Sequence, residues 1–267
     1  MKDGETGTEG LDRDLAQRLK RALTVGHEEL YAVLKDPEMD VLRAALRNPA
    51  LTETHLHTLL KRRELSEGLL KAICNSRFAK DSHSIRLALA HHPAMPAQQL
   101  IEILPHLYLF ELVTISTLAG VVPDQKVAVE RAIIQRLPTT PLGNKITLAH
   151  RGSAPVVENL LMEGDPRLMT ACLENPLLKE GAVFKFLRSA TASAEAISMI
   201  ARHPRWQNRP NLKLTILNNP RTPLVWFTHW LPTLHRGDLR NLVDSQRLSQ
   251  QQRHEVKAEI TRRNQGG

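Results

Sequence analysis

Asn48-Pro49 recurs as Asn175-Pro176, and the same offset, 127, brings further dipeptides into register. His92-Pro93 falls on Asn219-Pro220, Met95-Pro96 on Thr222-Pro223, Leu104-Pro105 on Leu231-Pro232 and Glu111-Leu112 on Asp238-Leu239. The match runs from about Val41 to Ile133 and from about Leu168 to Ile260. It needs one compensated slip, which pairs Arg77-Phe78 with Arg205-Trp206. Proline-bearing dipeptides repeated at one shift over such a length are not expected by chance. The sequence therefore predicts two tandem copies of one unit.

Each copy contains smaller units. Leu42 to Pro49 and Ile85 to Pro93 read as short helices closed by Asn-Pro or His-Pro, and Leu168–Pro176 and Leu212–Pro220 take the same role in the second copy. Proline stops a helix because it lacks an N–H and restricts the residue before it. The next helix then opens on a cap, at Thr52 or at Thr222-Pro223 and Thr140-Pro141, with the hydroxyl expected at N-cap and the proline at N1. Apolar residues follow at helical spacing, as in Leu56, Leu59 and Leu60, or Leu100, Ile103 and Leu104. No sustained period-2 alternation marks a strand. Only 4% of residues are aromatic and Gly occurs 13 times, a balance that favours helices over sheets. The pattern predicts roughly 14 to 16 short helices of about 8 to 15 residues. A single hairpin of this kind cannot bury its apolar face alone, so the expected fold is an all-α solenoid of stacked helical hairpins.

The recurring pattern apolar-x-x-Ala-Leu-x-Asn/His-Pro-x-x-Thr/Pro, followed by a Leu-rich helix, resembles HEAT-like repeats and the leucine-rich repeat variant. His203-Pro-Arg-Trp206 with Asn219-Pro-Arg-Thr-Pro223 also resembles bacterial helical-repeat proteins. The resemblance covers about three quarters of the chain and implies a fold, with no activity attached. One leucine-rich repeat variant carries an iron–sulfur cluster on N-terminal cysteines. No cysteine precedes Cys74, so that feature is not implied here. The expected layout is an unstructured segment 1–10, a single solenoid 11–263 and a flexible tail 264–267. Within the solenoid lie copy one at about 41–133, connecting repeats at 134–167 and copy two at about 168–260.

Composition narrows the functional classes. Two cysteines, Cys74 and Cys172, exclude a disulfide framework and every four-cysteine metal site. They align with Ala201 and Ala45 of the opposite copies, so both read as packing positions. Residues 1–10 hold no apolar core of a signal peptide. The most apolar stretch, Leu107 to Val122, is 16 residues long and carries Glu111, too short and too polar to span a membrane. A cytoplasmic location is expected. No His-Glu-x-x-His, Gly-x-Ser-x-Gly, Walker loop or Rossmann glycine run occurs, so no catalytic residue, metal ligand or cofactor is assigned. His91-His92 ends a helix where the second copy has Asn218-Asn219, which suits a structural role at the helix end.

The copies differ where the charge sits. The formal net charge is +8, and from Arg202 to Arg263 there are 12 Lys or Arg against 4 Asp or Glu. The remainder of the chain balances at 24 of each. The apolar run Leu107–Leu118 corresponds to the polar run Leu234–Ser245, as if an internal repeat were compared with a solvent-facing terminal one. Arg202, Arg205, Trp206, Arg209 and Lys213, in a loop entering a helix, form the candidate binding residues. Arginine and tryptophan anchor protein interfaces, and basic with aromatic side chains also hold nucleic acid. The leading expectation is a non-enzymatic scaffold that binds a protein along a concave surface. The alternative is binding of a nucleic-acid backbone by the basic C-terminal quarter, and a solenoid-based DNA-acting enzyme comes third.

Overall fold

The computed structural model describes residues 6–118 and 122–265, and every regular element among them is helical. The chain divides into two compact units, residues 1–133 and 134–267. The first holds α1 (Thr6–Thr24), α2 (His27–Val33), α3 (Met39–Ala45), α4 (Glu53–Leu59) and α5 (Glu67–Cys74), then α6 (Arg77–Asp81), α7 (His83–Ala90), α8 (Ala97–Ile103), α9 (Leu109–Thr117) and α10 (Pro123–Arg136), whose end crosses the boundary. The second holds α11 (Leu142–Arg151), α12 (Ala154–Met162), α13 (Pro166–Glu174), α14 (Glu180–Leu187) and α15 (Ala194–Arg202), then α16 (Pro210–Leu217), α17 (Leu224–Trp230), α18 (Arg236–Val243) and α19 (Gln250–Gln265). Of the segments expected to lack structure, residues 1–5 and 266–267 lie outside the described residues, while α1 starts at Thr6 and α19 ends at Gln265.

Nineteen α-helices among the described residues exceed the expected number because many are only two turns long. α2, α3, α4, α8 and α17 have seven residues each. Two turns suffice to present one apolar stripe when the neighbours are already stacked, so tertiary packing replaces helix length as the source of stability.

Packing is local within each unit. In the first, α1 lies on α3 and α3 on α5, while α2 lies on α4 and α4 on α7. In the second, α11, α13 and α15 stack in one row and α12, α14 and α16 in another. The apolar residues between the rows are fully buried, Leu56, Ile73 and Leu112 in the first unit and Val183, Ile200 and Leu239 in the second. Each such side chain contributes about 1.5–3 kcal/mol relative to an exposed one. The run Leu107–Leu118 enters this core through Leu112, Val113 and Ile115.

Eight pairs of helices begin at the offset read from the proline dipeptides. They are α2 and α12, α3 and α13, α4 and α14, α5 and α15, α7 and α16, α8 and α17, α9 and α18, and α10 and α19. The register of elements thus starts at His27 and Ala154, upstream of Val41 and Leu168. α6 has no counterpart, because its place in the second unit is taken by the turn at 204–208, and α1 matches α11 only at its end, Thr24 against Arg151.

The Asn-Pro and His-Pro steps have one structural job. Asn48 Nδ2 donates to the carbonyls of Ala22 (2.9 Å) and Val25 (3.1 Å), and its Oδ1 accepts the Ala50 amide (2.8 Å). Asn175 Nδ2 donates to Ala149 (2.8 Å), His150 (3.2 Å) and Gly152 (3.3 Å), and its Oδ1 accepts the Leu177 amide (2.7 Å). His92 donates from Nε2 to the Arg62 carbonyl (2.7 Å) and accepts the Ala94 amide at Nδ1 (3.2 Å). Asn219 donates to Leu187 (2.6 Å) and accepts from Arg221 (2.8 Å). The acceptor closes the turn over the proline, and the donor ties that turn to the end of an earlier helix or the loop after it. A carboxamide and a neutral imidazole both offer a donor and an acceptor, which is why Asn and His alternate there. Gln125 and Gln252, a pair in the same register, donate to the carbonyls of Met95 and Thr222 (2.9 Å for the latter).

The caps correct one expectation. Pro223 and Pro141 occupy N-cap rather than N1, with extended ψ values of 142° and 148°. The preceding hydroxyls turn backwards, Thr222 donating to Ile216 O and Thr140 to Arg136 O. A hydroxyl that can satisfy a carbonyl at the end of the previous helix is drawn away from the next helix's amides. Proline stands at N1 where an Asp or Arg precedes it, at Pro166 and Pro210.

Candidate functional site

A cleft of about 810 Å³ opens in the second unit between the C-terminal ends of α14 and α16. Phe184, Leu187 and Arg188 line one side, Thr215, Asn218 and Asn219 another, and Arg221 and Arg247 complete the rim. The loops that shape it are tied down by side chains. Asn219 holds the Leu187 carbonyl, and the Arg221 guanidinium donates to the carbonyls of Ala190 and Ala192, the latter at 3.2 Å. The Ser245 hydroxyl donates to Asn218 Oδ1. Arg188 lies over the Phe184 ring with its guanidinium carbon 5.5 Å from the centroid. No carboxylate lines this cleft, and neither Arg188 nor Arg247 pairs with one among the described residues. Three arginines beside hydroxyl and amide groups give this cleft a cationic rim, a chemistry that suits anionic groups.

A smaller cleft of about 410 Å³ occupies the corresponding place in the first unit. Its His57, Leu60, Lys61, His91 and His92 are the register partners of Phe184, Leu187, Arg188, Asn218 and Asn219. The shape is kept while the chemistry differs. The position of Arg221 is Ala94 here, and imidazoles stand where the second unit has Phe184 and Asn218.

The five residues singled out in the sequence fall into two groups. Arg205, Trp206 and Arg209 sit against the α13–α14 turn. Trp206 is buried and donates from Nε1 to the Leu173 carbonyl (3.2 Å). Arg205 stacks on its ring at 4.4 Å and donates to the carbonyls of Asn175 (2.7 Å), Pro176 (3.2 Å) and Leu178 (2.7 Å). Arg209 pairs with Glu180 at 3.6 Å. Arg202 and Lys213 instead face α17, each 5.8 Å from a tryptophan centroid, Trp226 and Trp230 respectively. Those two rings are 5.1 Å apart and buried, and Trp226 Nε1 donates to Ser198 Oγ (3.0 Å). In the first unit Arg77 lies over Phe78 at 4.9 Å, as Arg205 does over Trp206. Arg188, Arg221 and Arg247 lie outside the residues that the sequence picks out. One signal for them exists, because Asn219-Pro-Arg221 repeats His203-Pro-Arg205, while the first copy has Asn48-Pro-Ala50 and His92-Pro-Ala94.

Other reactive side chains are committed to packing. Burial pushes the Cys74 thiol up to about 11 and the Cys172 thiol to about 12, far from a nucleophilic thiolate. His55 is buried against the rings of His27 and Tyr31, accepts the Thr52 amide at Nδ1 (3.1 Å) and donates to the His27 carbonyl (3.0 Å). Among the described residues, no three His, Cys, Asp or Glu are grouped to hold a metal ion, and no helix is long and apolar enough to cross a membrane. No protein-family model, curated protein or solved structure matches the chain.

Proposed function

We propose that this protein is a binding scaffold of HEAT-like or leucine-rich-repeat-variant hairpins, made by internal duplication, that docks a protein partner on its second unit. The observation that carries this reading is the distribution of charge. Residues 134–267 hold 19 Lys or Arg against 10 Asp or Glu, whereas residues 1–133 hold 17 against 18. One unit is electrically balanced and the other presents all of the net excess, including a cleft rimmed by arginines. The duplication is supported by eight helix pairs in register and by the matching bonds of Asn48 and Asn175. A binding rather than catalytic role is supported by the use of Cys172, His55 and His92 in packing and backbone bonds.

The test is reconstitution. The full chain is used as bait, and a captured protein is purified and titrated back by calorimetry. A saturable complex of fixed stoichiometry supports the scaffold. The reading is overturned if no captured protein re-forms a complex, or if the chain retains only nucleic acid, with affinity falling steeply as salt rises. The basic second unit is what favours that second outcome over an enzymatic one.

A further inference from the structure

Within the scaffold reading, on which this rests, we infer that the cleft lined by Arg188, Arg221 and Arg247 docks a carboxylate-rich segment of the protein partner. The cleft gathers three guanidinium groups without a carboxylate among its lining residues. Arg221 is held in place by the carbonyls of Ala190 and Ala192, and Arg188 by the face of Phe184. Both are therefore oriented before any ligand arrives, which lowers the entropic cost of binding. Guanidinium forks match carboxylates two bonds at a time. Asn218, Thr215 and Ser189 add neutral polar groups at the same wall.

The surroundings favour an acidic peptide over a nucleic-acid strand. A phosphate backbone needs a continuous basic track, and single strands also stack their bases on exposed rings. In the second unit Lys145, Arg167, Lys185, Arg209, Arg262 and Arg263 are each paired with a carboxylate, which interrupts any such track. Its rings at Phe186, Trp206, Trp226, Phe227 and Trp230 are buried, and Phe184 is covered by Arg188. The cleft brings Arg188, Arg221 and Arg247 to one place with no carboxylate in its lining.

The experiment measures fluorescence anisotropy of a labelled poly-glutamate peptide with the full chain at about 0.15 M salt. Poly-glutamine of equal length and a single-stranded DNA oligonucleotide are run beside it. The double variant Arg188→Gln/Arg247→Gln removes cleft charge without touching a loop carbonyl. Arg151→Gln/Lys257→Gln removes the same charge elsewhere on the unit. Poly-glutamate is expected to bind, with affinity falling about tenfold in the cleft variant and by less than about twofold in the control. Arg221→Gln is left out of this pair because its guanidinium supports two loop carbonyls. Unchanged thermal melts of both variants assign the loss to the cleft. Equal losses in both variants, equal binding of poly-glutamine, or tighter binding of the oligonucleotide that is lost in the cleft variant overturns the inference. A reconstituted protein partner that binds the cleft variant as tightly as wild type overturns the cleft and leaves the scaffold standing. Poly-glutamate binding at the cleft with no partner complex does the reverse.

Discussion

The two clefts occupy the same place in the element register, yet one is rimmed by Arg188, Arg221 and Arg247 and the other by His57, Lys61, Arg63 and His91. Beneath them the construction is the same. Asn219 and His92 tie corresponding loops with different side chains, and Ile200 and Ile73 bury the same side chain in corresponding helices. Packing and backbone bonds are alike in the two units, while the side chains at the clefts differ. Groups that stabilise the helices recur from one unit to the other in register, and side chains at the cleft rims differ. The difference between the units is thus one of surface side chains on a common frame.

The largest effects are expected in the core. Ile73→Ala and Ile200→Ala remove corresponding buried side chains, and each should destabilise the protein by about 2–5 kcal/mol in chemical denaturation. A large loss at one position with none at the other would show that the two units are not packed alike. Next come the loop ties. Asn175→Leu leaves the carbonyls of Ala149, His150 and Gly152 without their side-chain donor, and a loss of about 2–3 kcal/mol is expected. Hydrogen exchange should quicken at the Leu177 amide, which that side chain also holds. A smaller effect is expected from exchanging the two solutions. His92→Asn and Asn219→His each keep one donor and one acceptor, so each should cost less than about 1 kcal/mol, whereas His92→Leu should cost more. If the exchange proves as damaging as the leucine, equivalence of the ties is wrong.

The smallest effect concerns pH. Burial holds protonation of His55 below its ordinary value of 6.5, with the bond to the His27 carbonyl opposing part of that shift. As pH falls, the unfolded chain takes up the proton before the folded one. The stability from keeping His55 neutral is therefore complete above about pH 6.5 and is lost progressively as pH falls below that toward the lowered value of the folded state. His91 in the first unit and His203 in the second are depressed by burial in the same sense. Melting temperature should fall on acidification below about 6.5, and less steeply in His55→Gln. A His55→Gln variant with the wild-type pH profile would remove His55 from this account.

The helical class, the hairpins and the register between the units are legible in the sequence because proline acts locally and its positions recur. With a one-residue slip Phe78 also pairs with Trp206, and each carries a stacking arginine in the fold. The cap at Thr222-Pro223 lies one position from where local spacing puts it, because its hydroxyl answers to Ile216. An acceptor on a neighbouring turn leaves no mark on local spacing. Arg205 is legible as an arginine beside a tryptophan, but its bonds to Asn175, Pro176 and Leu178 depend on carbonyls that any sequence possesses. The cleft is hidden for a related reason. Arg188 and Arg247 are far apart in the chain and meet only through the stacking of α14 and α16 and the Asn218–Ser245 bond.

Asn48, His92, Asn175, Asn219 and Arg205 all grip main-chain oxygens at the end of an earlier helix or in the loop after it, rather than side chains. Such a joint is blind to its neighbour's identity. A hairpin can be mutated across its exposed face, or spliced next to another of the same shape, without rewriting the residue that holds it. Chains joined in this way are free to lengthen by copying and to vary afterwards, one hairpin at a time.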